Sequence, residues 1–222
     1  MSGYDFTLSG ARLTARPSGA LWWPDEAVLV VSDLHLGKSE RLARRGGALL
    51  PPYEVRETLA RLAAEIAATG PRTVLCLGDS FDDIAAAGSL DPADSAELAR
   101  LMAGRRWLWV EGNHDPGPVE IGGTHLAEFR LGALAFRHIA EPAARGEISG
   151  HYHPKARLSL RGQAVSRPCF LIDACRAILP AFGAYTGGLR CDDPALAGLM
   201  GPEAVAVLTG PAARAMPLPR RG

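Results

Sequence analysis

The stretch Ala27-Val28-Leu29-Val30-Val31-Ser32-Asp33-Leu34-His35 decides the fold, because it joins a short apolar run directly to a polar motif. The run from Ala27 to Val31 predicts a buried strand. Asp33 and His35, which follow at once, are residue types that bind metal ions. In open α/β sheets, functional sites collect at the carboxyl ends of strands, and this motif occupies such an end.

The same arrangement recurs further along the chain. Each recurrence is a short apolar run followed by Gly, Asp, Asn or His: Thr73–Leu77 before Gly78-Asp79, Trp107–Val110 before Gly112-Asn113-His114-Asp115, Leu134–Phe136 before Arg137-His138, and the weaker Glu147–Ser149 before Gly150-His151-Tyr152-His153. Short runs of this kind predict further buried strands that end in polar side chains.

Helical periodicity separates the first three strands. Apolar residues recur at helical spacing over Pro52–Thr69, and Ala93–Met102 is a shorter candidate. After Phe136 the pattern becomes rich in strands, at Ala156–Leu160, Pro168–Asp173 and Ala204–Leu208. We therefore predict an α/β fold of two mixed β-sheets packed face to face and flanked by helices, formed by a single domain over residues 1–222. The last dozen residues, rich in Pro, Ala and Arg, are expected to fray.

Composition limits the classes of function. The formal net charge is zero, which argues against a protein that coats duplex DNA but permits a small basic patch beside an acidic site. The N-terminus lacks the pattern of a signal peptide, and no apolar run is long enough to span a membrane. Cys76 and Cys169 lie in apolar runs and are predicted to be reduced core thiols. These features favour a cytoplasmic protein.

The polar motifs bring together a set of side chains that can bind metal ions. They are Asp33, His35, Asp79, Asn113, His138, His151 and His153. In D-x-H and H-x-H on extended backbone, both side chains point the same way, so each pair can hold one ion. Imidazole, carboxylate and amide oxygen suit Mn, Fe or Zn, and two ions about 3.5–4 Å apart can hold a displaced phosphate. Alternatively, Asp33, His35 and Asp79 could merely cap turns and helices.

These five ordered blocks resemble the signature of the calcineurin-like metallophosphoesterases. The resemblance implies that Asp33, His35 and His153 hold one metal ion, that Asn113, His138 and His151 hold a second, and that Asp79 bridges the two. It also implies that His114 contacts the scissile phosphate and protonates the leaving oxygen, with Asp115 orienting its imidazole.

Longer stretches are similar to the ligase-associated DNA damage response metallophosphoesterases. They are Leu21-Trp22-Trp23-Pro24, Ser32 to Lys38, Gly78-Asp79-Ser80-Phe81, Arg137 to Pro142, Gly150 to Pro154, and Ile178 to Gly188. This resemblance implies a manganese-dependent phosphodiesterase or endonuclease that acts on single-stranded DNA, with a functional link to a DNA ligase and a helicase.

One position departs from that family. Family members often carry His where this chain has Asp82, which would repel a substrate phosphate unless it is paired or turned away. The neighbouring segment Lys38–Arg45 is basic, so Lys38 and Arg41 are candidates to hold nucleic acid, although such a run can equally be a solvated helix face. Trp22 and Trp23 could stack on bases or pack in the sheet.

The leading hypothesis is a two-metal phosphodiesterase, manganese-dependent, that cuts single-stranded DNA internally during repair. A second hypothesis is a small-molecule phosphoesterase that acts on a nucleotide or a lipid-sugar diphosphate through the same site. A third is a scaffold that has lost catalysis, which the presence of all seven ligands and of His114 disfavours.

Overall fold

The computed structural model describes residues 2–47, 53–117, 120–160 and 163–219. The strands are β1 (Tyr4–Leu8), β2 (Ala11–Ala15), β3 (Leu21–Trp23), β4 (Val28–Val31), β5 (Thr73–Leu77), β6 (Arg106–Val110), β7 (Thr124–Leu126), β8 (Phe129–Leu131), β9 (Leu134–Arg137), β10 (Glu147–Ser149), β11 (Lys155–Leu160), β12 (Gln163–Ile172), β13 (Arg176–Ile178), β14 (Val205–Leu208) and β15 (Arg214–Pro217). The helices are α1 (Lys38–Arg44), α2 (Glu54–Thr69), α3 (Ile84–Gly88), α4 (Pro92–Met102) and α5 (Pro194–Ala197).

The strands form two mixed sheets. The first sheet has the order β1-β2-β3-β4-β5-β6-β7, in which β4 to β7 run parallel and β1 to β4 are antiparallel neighbours. The second has the order β15-β14-β12-β13-β10-β9-β8, with β11 paired to β12. In this sheet β9, β10 and β13 are parallel. The predicted α/β fold with two mixed sheets is confirmed.

Alternation along the strands divides the apolar residues between two layers. Val28 and Val30 of β4 face the second sheet in a core that also contains Phe136 and Phe170. Their neighbours Leu29 and Val31 face α2 and α4 in a separate core on the outer side of the first sheet. Because both faces of the central strands are covered, those strands are continuous apolar runs rather than alternating ones.

The structure corrects several sequence-based expectations. Three strands, β1 to β3, precede β4, so antiparallel pairing begins the fold rather than following the parallel units. Within the last dozen residues, Arg214–Pro217 pair with β14 as β15, and residues 220–222 lie outside the described residues. The predicted helix over Pro52–Thr69 is observed from Glu54, and Pro52 lies outside the described residues. No helix in the described part of the chain combines the length and apolarity needed to cross a bilayer.

Candidate metal centre

All seven predicted ligands lie at the carboxyl ends of strands that run in parallel. Asp33 and His35 follow β4, Asp79 follows β5 and Asn113 follows β6, while the other ligands follow β9 and β10 in the second sheet. They form two groups in space. The first ligand cluster consists of Asp33, His35 and His153. The second ligand cluster consists of Asp79, His138 and His151, with Asn113 beside them.

Five of these ligands have left-handed backbone conformations. The φ angles of Asp33, His35, Asp79, His151 and His153 lie between 45° and 69°. The expectation that D-x-H and H-x-H would lie on extended backbone is therefore wrong, although both pairs still converge. Such backbone costs on the order of 1–3 kcal/mol at each non-glycine residue and persists where the surrounding structure enforces it, commonly at functional sites.

In the first ligand cluster, three buried polar atoms lack a hydrogen-bond partner. They are Asp33 Oδ1, His35 Nε2 and His153 Nε2. His153 Nε2 lies 3.1 Å from Asp33 Oδ1, and the rings of His35 and His153 are 5.2 Å apart. Buried polar atoms are almost always hydrogen-bonded, so three unsatisfied ones aimed at a common point fit a metal ion that they would coordinate.

The remaining atoms of these ligands are held by the protein. Asp33 Oδ2 accepts hydrogen bonds from Ser32 Oγ at 2.5 Å and from the His151 amide at 3.0 Å. His35 Nδ1 donates to Asp82 Oδ1 at 2.8 Å, which leaves the lone pair of the ring on Nε2. Asp33 and His35 thus each present one atom inward while the other is fixed from behind, as expected at metal sites.

In the second ligand cluster, electron-rich atoms face one another. His138 Nδ1 donates to the carbonyl of Leu77 at 2.9 Å, so its Nε2 carries a lone pair. That atom lies 2.9 Å from Asn113 Oδ1, 3.4 Å from Asp79 Oδ2 and 3.2 Å from His151 Nδ1. The two oxygens cannot donate to a lone pair, so the grouping needs positive charge among its atoms, which either a bound cation or a proton on a ring nitrogen supplies. The residues therefore fit a second metal ion.

Asp79 contacts the second ligand cluster, and its carboxylate also interacts electrostatically with His35 of the first ligand cluster. Its Oδ1 accepts from the His114 amide at 2.8 Å, and its Oδ2 faces His138. Burial raises its pKa, but the hydrogen bond and charge of His138, the amide of His114 and the charge of His35 together lower the pKa to about 2. Asp79 is therefore a carboxylate near neutral pH, in a position that suits a bridge between two ions.

Two glycines allow the ligand loops to approach closely. Gly78 has φ +71°, and a Cβ there would lie 2.4 Å from His138 Nδ1. A Cβ at Gly112 would lie 2.1 Å from the Asp79 amide nitrogen. Real Cβ atoms are not found this close to backbone, so only glycine lets the loops after β5 and β6 meet around Asp79.

Asp82, a candidate substrate contact in the sequence, has both carboxylate oxygens engaged by the protein, and its contact with substrate stays a prediction. It is only 1% exposed, its Oδ1 holds His35, and its Oδ2 accepts from Arg41 Nε. The pairing answers the concern about repulsion, because the carboxylate lies between two donors. Burial raises the pKa of Asp82, but the hydrogen bonds and charges of His35 and Arg41 outweigh it and lower the pKa.

The basic segment is largely neutralised by acids. Arg41 is committed to Asp82, and Arg44 binds Asp83 at 2.8 Å. Arg45 lies 3.5 Å from the same Asp83 carboxylate. Arg41 Nε is therefore engaged by Asp82, whereas Lys38 has no acidic partner within 4.0 Å among the described residues. The contact of Lys38 and Arg41 with nucleic acid stays a prediction.

His114 and Asp115 lie at the site but do not contact each other as predicted. His114 Nδ1 donates to the backbone carbonyl of Asp82 at 2.9 Å, and its ring is 5.2 Å from that of His35. The Asp115 carboxylate instead accepts from the backbone amides of Asp79, Ser80, Phe81 and Gly112 at 2.8–3.2 Å. Asp115 therefore shapes the loop that carries Asp79, and burial together with the charge of Asp79 raises its pKa to about 6.

The tryptophans serve the core rather than a base-binding surface. Trp23 is buried and stacks on Phe136 with ring centroids 6.4 Å apart, and Trp22 packs against the helix-side core.

Sequence reasoning missed two contributors to the site. Ser32 holds Asp33, and the segment from Phe182 to Leu189 bonds to the backbone of Ser32, Asp33 and Tyr152. The Gly-rich pattern of that segment indicated a close-packed turn but not its partner.

The fold and the two ligand clusters define a metallophosphoesterase. A model of the calcineurin-like phosphoesterase family matches residues 27–161, more than half of the chain. Among solved structures, the chain is similar to the crystal structure of Pseudomonas putida nuclease MPE, with 28% identity, a TM-score of 0.73, and coverage of 97% of this chain and 100% of that chain. A comparison with curated proteins finds no match.

The chain therefore belongs to the calcineurin-like phosphoesterase family. It is a metal-dependent phosphoesterase, and its candidate ligands are the two clusters described above.

Proposed function

We propose that this protein is a manganese-dependent phosphodiesterase that cleaves single-stranded DNA internally during DNA repair. The observation that carries this proposal is the pairing of a two-cluster site with a structural likeness to a nuclease over nearly the whole chain. The mixed nitrogen and oxygen ligands suit Mn²⁺, although iron and zinc accept similar sets. A functional link to a DNA ligase and a helicase, and a cytoplasmic location, belong to the same proposal.

Two divalent ions held by these clusters would supply an activated water and stabilise the charge that develops on phosphate. Asp33, His35 and His153 would hold one ion, and Asn113, His138 and His151 would hold the other, with Asp79 between them. The chain itself supplies geometry, because Asp33, His35 and His138 are each fixed from behind by a hydrogen bond to the second polar atom of the side chain.

His114 is placed to act on the leaving oxygen. Its Nδ1–H is committed to the carbonyl of Asp82, so the tautomer is fixed and Nε2 is the atom that exchanges a proton with the substrate. In the protonated form, Nε2–H would donate to the departing alkoxide of a phosphodiester. The alkoxide oxygen of a nucleotide is a poor leaving group. Protonation by His114 therefore contributes more to the cleavage of DNA than to the hydrolysis of an activated ester.

An open hollow adjoins the second ligand cluster. It has a volume of about 540 Å³ and is lined by Asn113, His138, Arg137, Ile139 and other residues. This volume is in the range of pockets that hold small ligands, so it can receive the group on one side of the scissile phosphate. A diester carries a substituent on each side of its phosphate, and the hollow offers space for one of them.

The small-molecule alternative is favoured by one observation. Asp82 and Asp83 engage the arginines of α1, so the basic surface that would track a DNA strand is partly neutralised. If the substrate is a nucleotide or a lipid-sugar diphosphate, the protein should hydrolyse such compounds and leave DNA intact.

The test is cleavage of a closed circular single-stranded DNA by the purified protein with Mn²⁺. A circle has no ends, so a linear product reports internal cleavage. We expect linearisation by the wild type, loss of it in His114→Ala and Asp79→Asn, and its retention in His125→Ala, because His125 is the one histidine of the sequence outside the site. An intact circle, together with metal-dependent hydrolysis of a simple diester, would reject the endonuclease and favour the small-molecule alternative.

A further inference from the structure

The hollow beside the second ligand cluster shares its wall with two of the metal ligands. Its volume is about 540 Å³, and Asn113 and His138 both line it. A phosphate held at the ligand clusters therefore has this hollow next to it, on the side of Asn113 and His138. The other lining groups decide which part of a substrate this space can accept.

The hollow offers no free guanidinium to a second phosphate. Among the described residues that line it, Arg137 is the one lysine or arginine. Its Nη1 donates to Glu141 Oε2 and its Nη2 donates to Glu128 Oε2. Nη1 also lies 3.5 Å from the buried carboxylate of Glu147. Because three carboxylates surround this one guanidinium, its charge is more than neutralised and does not attract an anion.

A further carboxylate lines the hollow without a basic partner. Glu111 directly follows β6, and no Lys, Arg or His nitrogen of a described residue lies within 4.0 Å of its carboxylate. Its backbone is fixed, because its amide donates to the Leu126 carbonyl at 2.9 Å. Like charges repel, so this wall disfavours a phosphate and favours a neutral group that carries N–H or O–H donors.

Aliphatic side chains supply another part of the lining. Ile139 is 47% exposed although it directly follows the buried ligand His138, and Pro116 and Ala127 line the same hollow. A single exposed aliphatic residue would need no explanation. Three of them around one hollow beside a metal centre form an apolar surface that a ligand can cover.

The backbone on both sides of Ile139 is held by the second sheet. The carbonyl of His138 accepts from the Gly150 amide at 3.0 Å, and the amide of Glu141 donates to Glu147 Oε1 at 2.8 Å. Ile139 is therefore presented to the hollow from a fixed position, and a group that packs on it loses little free energy to rearrangement of the protein.

We propose that this hollow is a nucleobase subsite, in which a base next to the scissile phosphate packs on Ile139 and donates a hydrogen bond from its exocyclic amino group to Glu111. The inference rests on the proposed DNA substrate and deepens it, because it names the part of the strand that the hollow recognises. A nucleobase matches the lining, since it is uncharged, has flat faces that pack on side chains and carries donors on its edge. Cytosine, adenine and guanine carry an amino group that a carboxylate can accept, whereas thymine carries none.

The test maps cleavage of an end-labelled oligothymidylate bond by bond in the presence of Mn²⁺. One central thymidine is replaced either by deoxycytidine or by a tetrahydrofuran residue, which has no base. Bonds far from the replacement serve as the internal reference, so the product ladder gives the relative kcat/KM of the bond beside it.

The apolar wall is tested with the base-free residue. When it occupies the subsite, we expect wild-type cleavage of the adjacent bond to fall about tenfold, because the contact between the base and Ile139 is lost. Ile139→Ala should cleave the thymidine bonds about tenfold more slowly than the wild type and the base-free bond at the wild-type rate, because the same contact cannot be lost twice. Ile139→Leu should keep most of the activity. The matched control Ile84→Ala removes an exposed isoleucine that does not line the hollow and should behave as the wild type.

The carboxylate is tested with deoxycytidine. When cytosine occupies the subsite, the adjacent bond should be cleaved about tenfold faster than a thymidine bond, because cytosine can donate to a charged acceptor. Glu111→Gln should remove most of this preference, since a glutamine amide can accept from cytosine or donate to thymine. The matched control is Glu26→Gln, because Glu26 is an exposed acid that precedes β4, at the end of the strand opposite the site.

The outcomes separate this inference from the proposed function. Cleavage by the wild type at equal rates beside thymine, cytosine and the base-free residue would overturn the subsite and leave the nuclease proposal standing. A loss in Ile139→Ala that is equally large at the base-free bond would also overturn it, because the damage would then lie at His138. A base effect that depends on Ile139, without any preference for cytosine, would overturn the role of Glu111. A wild type that hydrolyses bis(p-nitrophenyl) phosphate but none of the oligonucleotides would reject the nuclease and with it the base subsite.

Discussion

Replacing Asp82 by Asn should weaken the binding of one metal ion while sparing the other. Both carboxylate oxygens of Asp82 accept from donors, one from His35 Nδ1 at 2.8 Å and one from Arg41 Nε. An asparagine offers only one acceptor oxygen, so its NH₂ group must face one of these two donors. If it faces His35, the ring must move its proton to Nε2, which is the atom that would bind the metal.

The size of the effect follows from this geometry. Asp82 is only 1% exposed, so water cannot replace the lost interaction. A hydrogen bond to a charged group contributes about 1.5–3 kcal/mol. Substitutions of groups that orient a metal-binding histidine typically cost about 10–100-fold in metal affinity, which corresponds to roughly 1.4–2.8 kcal/mol. We therefore expect a loss of about 10–100-fold at the first ligand cluster and a change of less than about twofold at the second.

Isothermal titration of the metal-free protein with Mn²⁺ measures both sites. The matched control is Asp83→Asn, because Asp83 is the next residue, binds Arg44 and caps α3, but does not contact a ligand. A thermal melt of each protein would show whether the fold is intact. If Asp82→Asn binds two Mn²⁺ ions as tightly as the wild type, Asp82 does not position His35 and the reasoning is wrong.

Three further predictions concern the acid, a glycine and the metal ions. His114→Ala should lower kcat about 10²–10⁴-fold on a diester with an alkoxide leaving group. The loss of kcat should be far smaller on a diester that releases p-nitrophenolate, because that leaving group needs no proton. Equal losses on both substrates would contradict the role of His114 as an acid. Gly112→Ala should lower the free energy of unfolding in denaturant by more than about 3 kcal/mol, because its Cβ would lie 2.1 Å from the Asp79 amide nitrogen. The control Gly117→Ala should be tolerated, because a Cβ at Gly117 would meet no heavy atom of a described residue within 4 Å. Removing metal with a chelator should lower Tm, since ligand at a hundredfold excess over Kd stabilises by about 2.7 kcal/mol, and an unchanged Tm would indicate that the clusters bind metal weakly.

The strands that carry the site were predictable because their sequences are unambiguous. β4, β5 and β9 are mainly apolar and are followed at once by Ser32, Gly78 and His138, so the apolar run and the polar residue that ends it agree. β6 reaches Gly112 after Glu111, and the short β10 was the weakest of the five patterns. The strands β1 and β2 were not predicted, and β3 was foreseen only as the possibility that Trp22 and Trp23 pack in the sheet. In β1 and β2 apolar residues alternate with polar ones such as Asp5, Arg12 and Thr14, which interrupt the apolar pattern.

The backbone at the ligands could not be predicted from the spacing of residues. D-x-H suggested an extended pair, yet Asp33 and His35 both adopt positive φ. The Asp33 amide bonds to the Gly78 carbonyl and the His35 amide to that of Asp79, so the loop after β5 holds the loop after β4 in this conformation. A constraint imposed by another strand leaves no trace in the local sequence.

By itself, the sequence determined which chemical groups lie at the strand ends and therefore that the protein would bind metal ions, because ligand types and their order along the chain are local properties. The tertiary structure alone decided what supports those groups. It assigned Asp82 to His35 and Asp115 to the backbone amide of Asp79. These partners are 47 and 36 residues apart in the sequence, so only the folding of the chain brings them within reach of one another.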